Sequence, residues 1–213
     1  MQAGLFPPEL ATEVLAPGAC VLRGFALDAA PGLLAAIAEI ARAAPFRHMT
    51  TPGGFRMSVA MTSCGALGWV TDATGYRYAA HDPESGRPWP AMPEALLAFA
   101  RRAAAAAGHA DCRPDACLVN RYAPGTKLSL HQDRDERDHG APIVSVSLGL
   151  PAVFLFGGAR RKDPQVRVPL AHGDVVVWGG ASRLFHHGVL PIAQGHHPAT
   201  GAYRYNLTFR KAG

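Results

Sequence analysis

Apolar positions in this chain follow two different periods, and the change from one to the other comes near residue 116. Two helical stretches precede it. After Pro31 the apolar residues are Leu33, Leu34, Ile37, Ile40 and Ala41, the three-to-four spacing that turns one stripe of a helix toward a core. Proline suits the start of a helix, where its missing N–H would have had no intrahelical acceptor. Residues 93–107 begin at Pro93, are rich in alanine and stop at Gly108, which predicts a second helix. Cys20 to Phe25 has the look of a short strand. From 116 onward the apolar runs are short, with Gly, Pro and Asp between them: 116–122, 143–150, 152–157, 174–178 and 203–209. Ile143 to Leu148 alternates apolar with small polar residues, as a half-buried strand does. Closely spaced strands without intervening helices point to a sandwich or jelly roll.

Residues 46–90 fit neither period. They carry Gly53, Gly54, Gly65, Gly68, Gly75, Gly86, Pro83, Pro88 and Pro90 among Trp69, Tyr76, Tyr78 and Trp89, a composition that favours hairpins and mobile loops. Residues 1–18 are rich in Pro and Ala and weakly patterned. No internal repeat is present, and the alanine tract 103–107 is compatible with helix.

A length of 213 residues suits one domain with a sizeable core. Twenty-one basic against 16 acidic residues give a net charge of +5, a mild bias compatible with nucleic acid. Cys20, Cys64, Cys112 and Cys117 show no C-x-x-C spacing and read as free thiols of a reducing compartment. No charged segment followed by an apolar one opens the chain, and no apolar run reaches spanning length. A cytoplasmic protein is expected, monomeric and without a membrane partner.

Chemistry enters with His131-Gln132-Asp133. On an extended segment residues i and i+2 project to one side, so the imidazole and the carboxylate can share a site. His187, followed by Gly188, can supply a third ligand. Two His and one carboxylate on one face of a metal are the ligands of non-heme Fe(II) oxygenases. His186 stands beside His187, and adjacent strand residues face opposite ways, so only one of them can bind. Arg204 and Arg210, six apart on the last strand, share a face and suit a small dicarboxylate.

Several longer runs carry a resemblance. They are Thr51-Pro52-Gly53-Gly54, Met57 to Thr62, Gly68-Trp69, Pro88-Trp89-Pro90-Ala91-Met92-Pro93, Asn120-Arg121-Tyr122-Ala123-Pro124-Gly125, Leu128 to Asp133, His172 to Gly180, and Arg204 to Arg210. Over nearly its whole length the chain resembles the bacterial AlkB family of Fe(II)/2-oxoglutarate dioxygenases. The resemblance implies a mainly β (α+β) fold: a double-stranded β-helix, or jelly-roll, core over 116–213, N-terminal helices, and a loop-rich nucleotide-recognition lid over 46–90, all in one domain, 1–213. It implies His131, Asp133 and His187 as iron ligands, with His187 favoured over His186 because it precedes Gly188. It implies Arg204 as the clamp on the distal carboxylate of 2-oxoglutarate, with Asn120, Tyr122, Asn206 and Arg210 in the same site and Arg210 nearer the metal.

For the substrate the resemblance implies a flipped base held between Trp69 and the His131 ring, with Tyr76 on the nucleic-acid backbone and Asp135 and Arg161 at the base rim. Of the run Asp135, Glu136 and Asp138, only Asp135 has a family role; the rest read as a solvated charge run. Arg47, Arg56, Arg77, Lys127, Arg134, Arg160 and Lys162 are candidate phosphate contacts. The implied reaction uses Fe(II), 2-oxoglutarate and O2 to demethylate bases such as 1-methyladenine and 3-methylcytosine in single- or double-stranded DNA. It releases succinate, CO2 and formaldehyde. The rivals are the same chemistry on RNA or a protein side chain, a non-catalytic jelly-roll binding module, and a zinc hydrolase, which a dicarboxylate clamp disfavours.

Overall fold

The computed structural model describes residues 11–213. In chain order the elements are β1 (Thr12–Ala16), β2 (Ala19–Leu22), α1 (Ala30–Ala43), β3 (Ala60–Gly65), β4 (Gly68–Asp72), β5 (Gly75–Ala79) and α2 (Glu94–Ala106). Then follow β6 (Ala116–Tyr122), β7 (Leu128–His131), β8 (Ile143–Gly149), β9 (Ala152–Phe156), β10 (Val166–Leu170), β11 (Val175–Trp178), β12 (His187–Val189) and β13 (Arg204–Arg210). Both helices fall where the sequence predicts them, α1 from its three-to-four spacing and α2 from Pro93, its alanines and Gly108. The weakly patterned start divides: residues 1–10 lie outside the described residues, and Thr12–Ala16 pairs with β2.

The described residues form three sheets. The large one has seven strands in the order β1-β2-β11-β8-β13-β6-β3, the smaller four in the order β10-β9-β12-β7, and β4 with β5 makes a separate hairpin. The large sheet separates two apolar layers. On its outer face Val144, Val146, Leu148, Leu207 and Phe209 meet Leu33, Ile37 and Ile40 of α1 and Leu96 and Phe99 of α2. On its inner face Val21, Met61, Val176 and Trp178 meet Phe154, Phe156, Val168 and Val189 of the smaller sheet. This is the expected jelly-roll sandwich, with helices covering one side.

Two expectations need correction. The strand at Ile143 is not half-buried, because helices cover one face and the smaller sheet the other. Its small polar residues, Ser145 and Ser147, point into the molecule rather than to water. Nor is 46–90 uniformly loop: β3 is an edge strand of the large sheet, paired with β6 from Ala60↔Arg121 to Gly65↔Ala116. Only the β4–β5 hairpin stands apart. It rests on buried Trp89, whose indole donates to the Ala79 carbonyl oxygen at 3.0 Å. A side chain at Gly68 would meet the Trp89 ring at 2.3 Å, so the hairpin seats on that ring only without a Cβ there. Among the described residues no helix is long and apolar enough to cross a membrane.

Candidate active site

A cleft of about 650 Å³ opens between the two large sheets, and inward-facing polar residues of both line it. On the smaller sheet His131 of β7 lies directly opposite His187 of β12, with ring centroids 4.4 Å apart. Gly188 is what lets these strands meet: a Cβ there would lie 2.8 Å from the Leu128 carbonyl oxygen. Asp133, two residues past His131 and just beyond the end of β7, reaches both rings. Its Oδ1 lies 3.5 Å from His131 Nε2 and its Oδ2 3.7 Å from His187 Nε2. One ligand atom from each of the three residues lies within 4.8 Å of the others.

The ring orientations follow from the backbone. His131 Nδ1 lies 2.9 Å from the Ser129 carbonyl oxygen and His187 Nδ1 3.0 Å from that of Phe185. A carbonyl only accepts, so Nδ1 carries the proton in both rings and the Nε2 lone pairs face each other and Asp133. Burial pushes His187 down to about 3, and the neighbouring His131 adds to it, so this ring is a neutral ligand. Burial opposes a charge on Asp133, but Arg210 and the two imidazoles overcome it and hold the carboxyl well below its usual range. Two neutral-capable nitrogens, one carboxylate and an open side fit Fe(II).

Arg204 enters from the other sheet, at the start of β13. It is 1% exposed; NH2 donates to Ser147 Oγ at 2.9 Å, while Nε and NH1 have no protein partner. Its guanidinium lies over the Tyr122 ring at 5.0 Å. A buried guanidinium with open donors is costly without an anion, and these donors fit a carboxylate. Asn120 Oδ1 is also buried without a partner. Asn120 donates to Asn206 Oδ1 at 3.3 Å, and Asn206 donates to Ser145 Oγ at 2.8 Å. Ser145 and Ser147 therefore brace this half of the site, a role the sequence hid behind an ordinary alternation. Arg210 lies at the metal end, donating from Nε and NH2 to Asp133 Oδ2 at 2.9 and 2.7 Å.

At the mouth Trp69 stacks on Tyr76 across the hairpin, with centroids 5.8 Å apart and planes 22° from parallel. The Trp69 indole donates to Asp135 Oδ2 at 2.9 Å. Tyr76 is 50% exposed. Arg161, on the exposed β9–β10 connection, donates to the Leu130 carbonyl oxygen at 2.7 Å. All four line the cleft that holds the His–Asp–His cluster. His186 is outside that cluster, with Nδ1 3.2 Å from the Gly158 carbonyl oxygen. Two readings of charged residues change. Glu136 is buried, not solvated, and bonds Tyr78, Arg183 and Arg210. Arg47 is turned inward onto Asp82 and over the Trp89 ring.

Sandwiched sheets, a His–Asp–His cluster on one and an open buried arginine on the other define an iron- and 2-oxoacid-dependent oxygenase. The sequence model of the 2OG-Fe(II) oxygenase superfamily matches residues 18–210. The chain is 64% identical over 200 residues to the alpha-ketoglutarate-dependent dioxygenase AlkB of Salmonella typhimurium, covering 94% of this chain and 93% of that one. To the AlkB of Escherichia coli it is 61% identical over 201 residues, with the same coverage. A solved structure of OsALKBH1 superposes with a TM-score of 0.82 at 30% identity, over 94% of this chain and 100% of the other. The chain belongs to the 2OG-Fe(II) oxygenase superfamily and, within it, to the AlkB family.

Proposed function

We infer that this dioxygenase repairs alkylated DNA by oxidative demethylation of bases such as 1-methyladenine and 3-methylcytosine. The observation that carries the reading is the content of one cleft. It joins a metal-binding triad at the floor, an arginine open to an anion beside it, and an aromatic ring with a carboxylate at the mouth. His131, Asp133 and His187 would hold Fe(II) and leave the rest of its coordination sphere to cosubstrate and oxygen. Arg204 would take the distal carboxylate of 2-oxoglutarate, with Asn120, Tyr122 and Asn206 around it and Arg210 toward the metal. The bound metal, with O2 and 2-oxoglutarate, supplies the oxidation of the N-alkyl carbon; succinate, CO2 and formaldehyde are the products.

The remaining work falls to the chain itself. A base that is to react must leave its stack, and Trp69 and the His131 ring offer it two flat surfaces. Methylation at the Watson–Crick edge makes adenine and cytosine cationic. Asp135 meets that charge and accepts from the exocyclic amine; its Oδ2 already receives the indole N–H, which leaves Oδ1 for the base. Tyr76 and Arg161 would hold the rim and the backbone. In this reading the hairpin part of 46–90 grips the base, and 116–213 carries the chemistry. Single- and double-stranded DNA are the substrates, with RNA as a further class, and the enzyme acts as a cytoplasmic monomer. The test is mass spectrometry of a methylated oligonucleotide incubated with Fe(II), 2-oxoglutarate and oxygen. A mass loss of one methylene per lesion, with equimolar formaldehyde, is expected; succinate without demethylation would reject DNA as the substrate.

A further inference from the structure

The charged run after the metal carboxylate sends one member into the protein. Glu136 is 6% exposed, and its carboxylate meets three partners. The Tyr78 hydroxyl donates to Oε1 at 2.7 Å, Arg210 Nε lies 3.3 Å from the same oxygen, and Arg183 NH2 donates to Oε2 at 3.2 Å. Both arginines also hold residue 133. Arg210 donates to its carboxylate, and Arg183 NH1 donates to its backbone carbonyl oxygen at 2.7 Å. Two guanidiniums thus stand against two carboxylates, all four out of water.

The fifth member comes from elsewhere. Tyr78 lies on β5, directly across the hairpin from Trp69. Trp69 donates to Asp135 and Tyr78 to Glu136. Two neighbouring acids of the metal loop are therefore each held by one member of a cross-strand aromatic pair. Burial pushes the Tyr78 phenol pKa up, so it remains a proton donor.

We propose that Glu136 is a positioning residue for the metal carboxylate, and that Tyr78 makes its hold depend on the docked hairpin. Glu136 takes part of the attraction of Arg210 and Arg183. Without it both cations fall to Asp133 alone and draw its carboxylate away from the imidazoles. With Tyr78 in place, a hairpin seated around a base and a correctly aimed Asp133 are two ends of one hydrogen-bonded unit. This rests on the reading of the triad as the metal site.

The experiment is calorimetric titration of the metal-free full chain with Mn(II), with amide hydrogen exchange at residues 133–138 followed in parallel. Glu136→Gln keeps the shape and removes the charge. It should weaken Mn(II) about 10- to 100-fold, the usual effect of losing an outer partner of a metal ligand. Tyr78→Phe should weaken it about fivefold, because only part of the weight of its hydrogen bond reaches the metal through Glu136, and speed exchange across 133–138. The double variant should bind no more weakly than Glu136→Gln, because Tyr78 acts through Glu136. Losses that add, or wild-type affinity in both single variants, overturn the proposal. If Glu136→Gln does not fold, wild-type affinity and exchange in Tyr78→Phe overturn it alone. A wild-type chain that binds no Mn(II) would instead reject the triad as the metal site and take this inference with it.

Discussion

The floor and the mouth of the cleft are built in opposite ways. On the floor the functional side chains sit on or just past paired strands, and six of them face one another in pairs: His131 opposite His187, Arg204 opposite Tyr122, Asn206 opposite Asn120. At the mouth Trp69 and Tyr76 ride a two-stranded hairpin outside both large sheets, and Asp135 and Arg161 are exposed on loops. A lone hairpin in water is marginal. This one is held by Trp89 beneath it and by the bonds of Trp69 and Tyr78 to the metal loop. The difference matches the demands on each end. Metal and cosubstrate are the same in every turnover and suit a rigid frame, whereas lesions differ and suit an element of low local stability.

The comparison breaks first if the floor tolerates damage. His131→Ala, Asp133→Ala and His187→Ala should each abolish turnover and metal binding, measured by demethylation and by Mn(II) titration. Asp133→Ala should also lower stability by about 3–5 kcal/mol, because it strips Arg210 of a buried counter-charge; thermal unfolding reads that. An active, metal-loaded His187→Ala would move the site to His186. Next comes Arg204→Ala. Loss of a buried charge partner costs about 2–5 kcal/mol, so the 2-oxoglutarate requirement should rise steeply while Mn(II) binding persists. An unchanged requirement would remove the clamp.

The floor was largely legible in the sequence because strand geometry is local. The spacing of His131 and Asp133 and the six-residue step from Arg204 to Arg210 follow from period two, whereas the choice of His187 over His186 and the places of Asn120, Tyr122 and Asn206 come from the family resemblance. What stayed hidden depends on distant packing. Glu136 sits in a run of charges that looks solvated until Arg183, Arg210 and Tyr78 converge on it from three other parts of the chain. Ser145 and Ser147 look like the wet side of a strand until a second sheet covers them. β3 carries a single β-branched residue, Thr62, and lies among glycines. β10 contains Pro169, which argues against a strand interior and is tolerated because β10 is an edge.

Substitutions at the mouth should be milder and selective. Trp69→Ala should weaken base capture by about 1–3 kcal/mol, the range for one stacked base, with Mn(II) binding kept to within a few-fold. Asp135→Ala should reduce turnover of cationic 1-methyladenine and 3-methylcytosine more than of neutral 1-methylguanine or 3-methylthymine, in parallel demethylation assays. Because the Trp69 indole hangs on Asp135, the two losses should not add. Equal losses on all four lesions would return Asp135 to a plain surface charge.

The smallest effect is expected where floor and mouth are one residue apart. His186 precedes the ligand His187, and consecutive strand residues face opposite ways. Its ring is half-buried, with Nδ1 on the Gly158 carbonyl oxygen at the start of the connection that carries Arg161. Removing it leaves the triad, Arg204 and the hairpin untouched. His186→Ala should therefore keep Mn(II) and 2-oxoglutarate affinity and hold turnover to within about twofold, the size of an ordinary peripheral substitution. A modest rise in KM for the oligonucleotide, with kcat unchanged, would place His186 with the mouth, acting through the loop of Arg161. A loss of metal would place it with the floor and would mean that β12 can present either face to the cleft. Gly188 argues against that outcome: moving His186 into the place of His187 would carry His187 into the place of Gly188, where a Cβ would lie 2.8 Å from the Leu128 carbonyl oxygen.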